Sequence, residues 1–278
     1  MKKEINEKIE VGKLNTLRVN RVSEPGIYLI SGDETEVLLP NAYVVKSMEI
    51  DSLLEVFIYT DSEDRLVATT LKPYVYLYEF ASLKVVDTAK FGAFVDIGLP
   101  KDILVPKNKQ KSSFIVDSYK VLQLQLDEKT NRLIASEKFD LLKKVKNLNK
   151  NDEVEIILYS KTPLGFKVIV NDRYEGMIYH SEIFENIKIG DKKRAYVKNV
   201  REDNKIDISL QKIGQKETGD RVFDVLVKNG GKLNFTYKSE AEDIKNLFGV
   251  SKKSFKLSLT KLIDENKIIL EENCIRVK

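Results

Sequence analysis

The sequence predicts a mainly β, multidomain chain in which three small β-barrels stand in tandem before a C-terminal α+β domain. Three observations lead there. A glycine-headed unit is written three times at nearly fixed spacing. Each unit consists of short period-two runs rich in Val, Ile and Tyr with turn residues between them, the signature of compact all-β modules. Beyond residue 217 the apolar spacing changes from two to that of helices. With 278 residues, 42% of them hydrophobic and 32% charged, the chain has the length for several small cores.

Gly26, Gly92 and Gly165 each follow an apolar residue by seven positions, namely Val19, Val85 and Leu158. Each glycine opens a short strand: Gly26-Ile27-Tyr28-Leu29, Gly92-Ala93-Phe94-Val95 and Gly165-Phe166-Lys167-Val168. A second apolar strand follows, over residues 36–41, 102–107 and 175–180. The last strand of each unit begins after a turn and a basic residue, Arg65, Arg132 or Lys205, which stands 39, 40 and 40 positions after the glycine. Such units read as closed barrels, because closure removes the exposed edges of a sheet. The boundaries that result are 1–70, 71–148 and 149–217.

After residues 214–219 the pattern changes, and a fourth domain, 218–278, begins. Val222, Val225 and Leu226 mark a first helix, which Asn229-Gly230-Gly231 ends. Ser239 with Glu242 three residues later predicts a capping box for a helix carrying Ile244, Leu247 and Phe248. Gly249-Val250-Ser251 predicts a tight turn, with Ser251 capping a third helix that bears Phe255, Leu259 and Leu262. Residues 267–277 complete a two-stranded ribbon, so the domain reads as a winged helix. Lys252, Lys253 and Lys256 lie on the exposed N-terminal part of its third helix, where contacts to nucleic acid are made in this architecture; packing or protein contact is the other reading.

The stretch Lys90-Phe91-Gly92-Ala93-Phe94 carries most of the functional information. Aromatic rings beside lysine on an exposed strand are what single-stranded nucleic acid stacks on. Strict alternation sends positions 91 and 94 to opposite faces, whereas a bulge at Gly92 brings both rings to one face. The competing reading buries both rings in the core. Charge favours the same segment: residues 1–70 carry −5, 71–148 carry +5, 149–217 carry +1 and 218–278 carry +3.

A strand ending in FGAFV, a strand near GLxHxSE and a last strand near DxxGRIxLS together resemble the S1 RNA-binding domain, a five-stranded barrel of the OB fold. The resemblance implies RNA contact through two aromatics, the histidine of the second strand and the basic residue of the last. In the second unit Phe91, Phe94 and Arg132 match, while the histidine position is Pro106 with Lys107 beside it. The third unit has Leu164 and Lys167 at the aromatic positions, Tyr179 at the histidine position with His180 next to it, and Lys205 at the basic one. Only Tyr28 and Arg65 remain in the acidic first unit, which is expected to serve mainly in packing. The candidate RNA-binding set is therefore Lys90, Phe91, Phe94, Lys107, Arg132, Lys167, Tyr179, His180 and Lys205, with Tyr28 and Arg65 as weaker candidates.

Other chemistry finds little purchase in the sequence. One cysteine, Cys274, and one histidine, His180, make neither an internal disulfide nor a Cys/His zinc site. Cys274 reads as a small core residue. No P-loop or dinucleotide glycine motif occurs, and no DxD or DExxK-like cluster gathers carboxylates. No enzymatic activity, cofactor or metal is expected. A run of about 18 apolar residues and an apolar h-region are both missing, so a cytoplasmic protein without a membrane partner is expected.

Three S1-like units followed by one winged helix, over essentially the whole chain, closely resemble the bacterial conserved virulence factor B family, also known as the YitL family. The resemblance implies an RNA-binding regulatory protein that affects virulence gene expression after transcription. Two other readings remain: a winged-helix regulator that reads duplex DNA, and a scaffold that docks on the ribosome or a degradation machine.

Overall fold

A computed structural model of the chain describes residues 4–183, 185–211 and 217–278. The predicted switch at Gly214-Gln215-Lys216 lies outside the described residues. In the first unit, β1 (Leu14–Ser23), β2 (Gly26–Ile30), β3 (Glu36–Pro40), β4 (Leu53–Thr60) and β5 (Leu66–Thr69) close into a barrel in the order β1-β2-β3-β5-β4. The third unit repeats this order with β11 (Glu153–Thr162), β12 (Gly165–Val170), β13 (Tyr174–Tyr179), β14 (Lys192–Val200) and β15 (Ile206–Ser209). Between them lie β6 (Phe80–Ala89), β7 (Gly92–Asp96), β8 (Ile103–Pro106), β9 (Tyr119–Leu126) and β10 (Leu133–Ser136).

This second unit keeps the five-stranded barrel arrangement, with one difference where it closes. It is a five-stranded sheet in the order β10-β9-β6-β7-β8, whose two end strands lie side by side without a ladder between them. Closure elsewhere rests on a short parallel bridge, Leu38 facing Val67 in the first unit, and Gly176 and Met177 facing Ile206 and Asp207 in the third. The equivalent strands β8 and β10 pack side by side without such a bridge, and a seam runs between them.

The three units share a register that accounts for their sequence landmarks. Gly26 faces Pro40, Gly92 faces Pro106 and Gly165 faces Tyr179. In each, the backbone N–H just after the second apolar strand donates to the carbonyl just before the glycine: Asn41 to Pro25 at 3.0 Å, Lys107 to Phe91 at 2.8 Å and His180 to Leu164 at 3.1 Å. A Cβ on the glycine would stand 2.1 Å from the Leu39 carbonyl oxygen at Gly26, 2.5 Å from that of Val105 at Gly92 and 1.9 Å from that of Ile178 at Gly165. Only a residue without a side chain lets the two strands meet there, and at Gly165 a φ of +151° adds a backbone demand.

One compact unit runs to Leu142 and takes in Ile157–Tyr159 and Ile189–Lys192; a second holds Lys143–Ile156, Ser160–Lys188 and Lys193–Lys278. In the first, a single core runs from Leu17, Val19 and Leu29 through to Val85, Val95 and Leu122, so the first two sheets fold as one body. The connecting segment is held by buried Val75 and by the Leu77 N–H, which donates to the Gly12 carbonyl at 2.8 Å.

The C-terminal domain consists of α1 (Glu217–Lys228), β16 (Lys232–Leu233), α2 (Ala241–Phe248), α3 (Lys252–Asp264), β17 (Ile268–Leu270) and β18 (Ile275–Val277), with sheet order β16-β18-β17. Its core joins Val222, Leu226, Ile244, Phe248, Phe255 and Leu259, with the Phe248 and Phe255 rings 4.8 Å apart. Ser251 caps α3 as expected, its Oγ accepting from the Ser254 N–H at 3.0 Å. Ser239 does not cap α2: its Oγ accepts from the Thr236 N–H at 2.8 Å, closing the preceding turn, and Glu240 stands at the N-cap without a side-chain bond. The turn takes the hydroxyl because its donor is three residues upstream and already held. Ser251→Ala is accordingly expected to destabilise this domain by about 1 kcal/mol in urea unfolding, and Ser239→Ala to leave α2 in place. Cys274 is buried, with its thiol 3.1 Å from a Glu271 carboxylate oxygen. Among the described residues no helix is long and apolar enough to cross a membrane.

Candidate functional site

The second unit places both phenylalanines on its surface, though not by the predicted route. Gly92 is no bulge. Ala89 faces Gly92 directly, which leaves Lys90 and Phe91 as a two-residue turn between β6 and β7, and the irregularity falls in β6 between Val85 and Asp87. Phe91 thus precedes the strand instead of alternating within it, and is 62% exposed. Phe94 lies on the outward face that it shares with Gly92, where no side chain separates it from the turn. The two rings meet edge to face, 6.0 Å between centroids at 89°.

Both rings line a cleft of about 330 Å³ along the seam between β8 and β10. Leu104 and Pro106 continue the apolar wall, and Arg132 and Lys101 supply its positive groups. Asp102 and Asp127 also line it. Burial, with the nearby charges of Asp96 and Asp87, raises the Asp102 carboxyl above its ordinary value. The Lys129 N–H and then the Thr130 hydroxyl hold Asp127 below its own. Lys90 and Lys107 are exposed on the flanks. The structure therefore brings Phe91, Phe94 and Arg132 together. Both cationic groups of the cleft also meet the first unit: Arg132 pairs with Asp64, and Lys101 Nζ donates to the Asp61 carbonyl at 2.5 Å and lies 3.8 Å from the Asp64 carboxylate.

In the third unit the equivalent positions are Leu164, Lys167, Tyr179 and Lys205. Leu164 takes the place of Phe91 and is 62% exposed. The polar residues are each tied to an acid. Lys167 pairs with Glu175 at 3.0 Å and Lys205 with Asp203 at 2.8 Å. Tyr179 Oη accepts from Arg201 Nη2 at 2.6 Å, and Arg201 in turn pairs with Asp207 at 2.9 Å. The Asp207 hydrogen bond first, then the charges of Asp207 and Tyr179, raise the Arg201 guanidinium above its ordinary value. His180 follows the strand, sets its ring edge-on to Phe166 at 6.5 Å, and lines a separate cleft of about 460 Å³ with Lys161, Lys245 and Asn246.

The first unit has its candidates occupied. The Arg21 guanidinium lies 3.7 Å from the centre of the Tyr28 ring and is held there by Glu36. Arg65 pairs with Asp61 at 2.7 Å and Glu63 at 2.8 Å, and the Asp61 hydrogen bond leads in raising its guanidinium. On α3, Lys253 and Lys256 are exposed, and Lys252 Nζ reaches the Lys238 carbonyl at 3.5 Å.

Sequence reasoning missed Arg201, Lys101 and Asp64. Arg201 was within reach. Its N–H donates to the Lys205 carbonyl at 2.9 Å, as Asp61 does to Arg65 and Asp127 to Arg132 at the same distance, so aligning the repeats on their basic residue exposes a charge reversal in the third. Lys101 and Asp64 carry no such signal, because their roles arise where one unit meets the next.

Five-stranded barrels of the OB kind, an exposed aromatic pair and a terminal winged helix define a multidomain chain of S1 type. Residues 11–71 match the family model described as S1 domain, and residues 220–277 match the one described as CvfB-like winged helix domain. The S1 match falls on the first barrel, where the site residues are most worn and the strand pattern is intact. Over 286 residues the chain is 27% identical to the uncharacterized protein YitL of Bacillus subtilis, covering 96% of this chain and 93% of that one. It is also 27% identical to conserved virulence factor B of Staphylococcus aureus strain USA300, covering 94% and 92%. A solved structure from Streptococcus pneumoniae TIGR4, described as a multidomain protein with nucleic acid binding domains, aligns over 96% of this chain and 98% of its own at 22% identity, with a TM-score of 0.45. The chain is thus a homologue of YitL and of the conserved virulence factor B proteins over most of its length.

Proposed function

We propose that this chain is a single-stranded RNA-binding protein that acts by binding and not by catalysis. Bases stack on Phe91 and Phe94, Arg132, Lys90 and Lys107 hold phosphates, and the third barrel offers its own contacts through Tyr179, Arg201, Lys167 and Lys205. The observation that carries this reading is the edge-to-face pair of exposed Phe91 and half-buried Phe94 in a cleft that Arg132 also lines. The rings leave apolar aromatic surface facing the cleft, and a π face is what every base offers for stacking. The S1 match supports the nucleic-acid class and the relatives' name links them to virulence; action on virulence gene expression, in the cytoplasm and after transcription, is part of the proposal.

Labelled single-stranded RNA competed against unlabelled RNA and duplex DNA tests the reading: RNA competes and duplex does not. Arg201→Ala is expected to weaken RNA binding by about threefold, the worth of one partly exposed cation and of the Tyr179 orientation it maintains. Wild-type affinity in that variant removes the third barrel's contacts from the reading.

One observation favours a second contact. Lys252 and Lys253 open α3, whose first turn has no acidic residue, so both stand against the helix dipole, with Lys253 exposed and Lys252 reaching the Lys238 carbonyl at 3.5 Å. A polyanion at that end compensates them. If Lys252→Ala with Lys253→Ala abolishes tight duplex binding, a DNA-binding winged helix replaces single-stranded RNA binding as the function of the chain.

A further inference from the structure

Asp64 is the residue of the first barrel that meets the cationic side of the cleft in the second. It sits in the exposed turn between β4 and β5 and holds a φ of +63°. From there its carboxylate pairs with Arg132 and lies 3.8 Å from Lys101, and Lys101 is also fixed by the Asp61 carbonyl. Thr60, the last residue of β4, lines the same cleft. The two barrels share one core, so this turn is carried by the same folded body as the cleft beside it.

The geometry is that of an anion site already filled. Two cations converge on one carboxylate, and the guanidinium and ammonium pair offers donors of the kind that hold a phosphate group. The neighbouring wall is apolar and aromatic, as a base next to that phosphate requires. We infer that Arg132 and Lys101 form a phosphodiester subsite of the RNA track, and that the Asp64 carboxylate occupies it in the free protein as an internal stand-in for phosphate. RNA binding then exchanges one anion for another: Asp64 is displaced while the strand's phosphate takes both cations. The first barrel, poor in ligands of its own, acts as a built-in competitor that lowers affinity for weakly stacking polyanions. This inference rests on the RNA-binding reading of the cleft.

Fluorescence anisotropy with a labelled single-stranded RNA dodecamer, over a series of salt concentrations, tests it on the full chain. Asp64→Asn is expected to tighten binding about threefold at low salt, the scale of one exposed ion pair. It is also expected to steepen the slope of log K against log salt by about 0.7, as one more phosphate is neutralised without an internal anion to replace. Lys101→Met is expected to weaken Asp64→Asn more than it weakens the wild-type chain. If Asp64 only positions Arg132, Asp64→Asn weakens binding and leaves the slope unchanged or shallower, and that result overturns the inference, as does unchanged affinity. A Phe91→Ala, Phe94→Ala variant run alongside separates the two levels. If it binds as the wild type does, the reading of the cleft fails; if it loses affinity while Asp64→Asn gains none, only the subsite fails.

Discussion

Replacing Phe91 and Phe94 together by alanine lowers affinity for single-stranded RNA by roughly two orders of magnitude, because base stacking on an aromatic ring is worth about 1 to 3 kcal/mol per base. Titration of a labelled oligonucleotide reads this directly. The fold is expected to survive, since Phe91 is 62% exposed in a turn and Phe94 is half-buried on the outer face. An unchanged melting temperature in the variant would assign the loss to the interface. The loss persists at high salt, where phosphate contacts have been screened and stacking has not. A change of less than about twofold would remove the stacking reading, and with it the second unit as the centre of binding.

Gly165→Ala is expected to have the largest effect on stability, about 3 kcal/mol or more, confined to the third barrel. The new Cβ would stand 1.9 Å from the Ile178 carbonyl oxygen on a backbone at φ +151°, so neither the side chain nor the strand has room to give. Moving β12 away breaks its pairing with β13 and carries Tyr179, which faces Gly165, out of the site. Urea unfolding with hydrogen exchange resolved by barrel provides the check. Gly230→Ala is the control, because its backbone also lies at positive φ but nothing stands within 4 Å of the added carbon. Its cost is expected to be about 1 kcal/mol, the steric preference alone. Equal losses for the two variants would mean that close strand approach is not what the repeated glycine provides.

Much of the fold was legible because its signals are local. The glycine, the apolar strand that follows and the basic residue about 40 positions later fall at matching places in all three sheets, and the paired positions Pro40, Pro106 and Tyr179 confirm the repeat at the level of register. Ser251 could be read as a cap because its donor is only three residues away. Ser239 followed the same rule and misled, since a competing donor lay just as near on its other side. The position of Phe91 was misassigned by one structural step. Alternation describes strands, and the residue stands in the turn before one.

The candidate site divides along the same line. That Phe91, Phe94 and Arg132 belong together in the second unit came from the resemblance of its motifs to the S1 domain, and the fold brings all three to one cleft. What each cation actually touches did not follow from sequence. Arg132 finds Asp64, a residue 68 positions away on another barrel, and Arg201 finds Tyr179 across 22 positions. The seam between β8 and β10 likewise depends on whether two strands end within hydrogen-bonding reach, a matter of a small displacement that no periodicity records.

By itself the sequence determined that three glycine-headed β units precede a helical domain, since this depends on the period of apolar residues and on turn chemistry within a few positions, while the five-stranded barrel and its contact positions came from the S1 resemblance. Only the tertiary structure decided that the second sheet closes without a bridge between its end strands, that its rings meet edge to face in a cleft, and that its cations are already engaged by the first barrel. Those features depend on packing between segments distant in sequence, where the energy of a charge is set by whichever neighbour the shared core brings beside it.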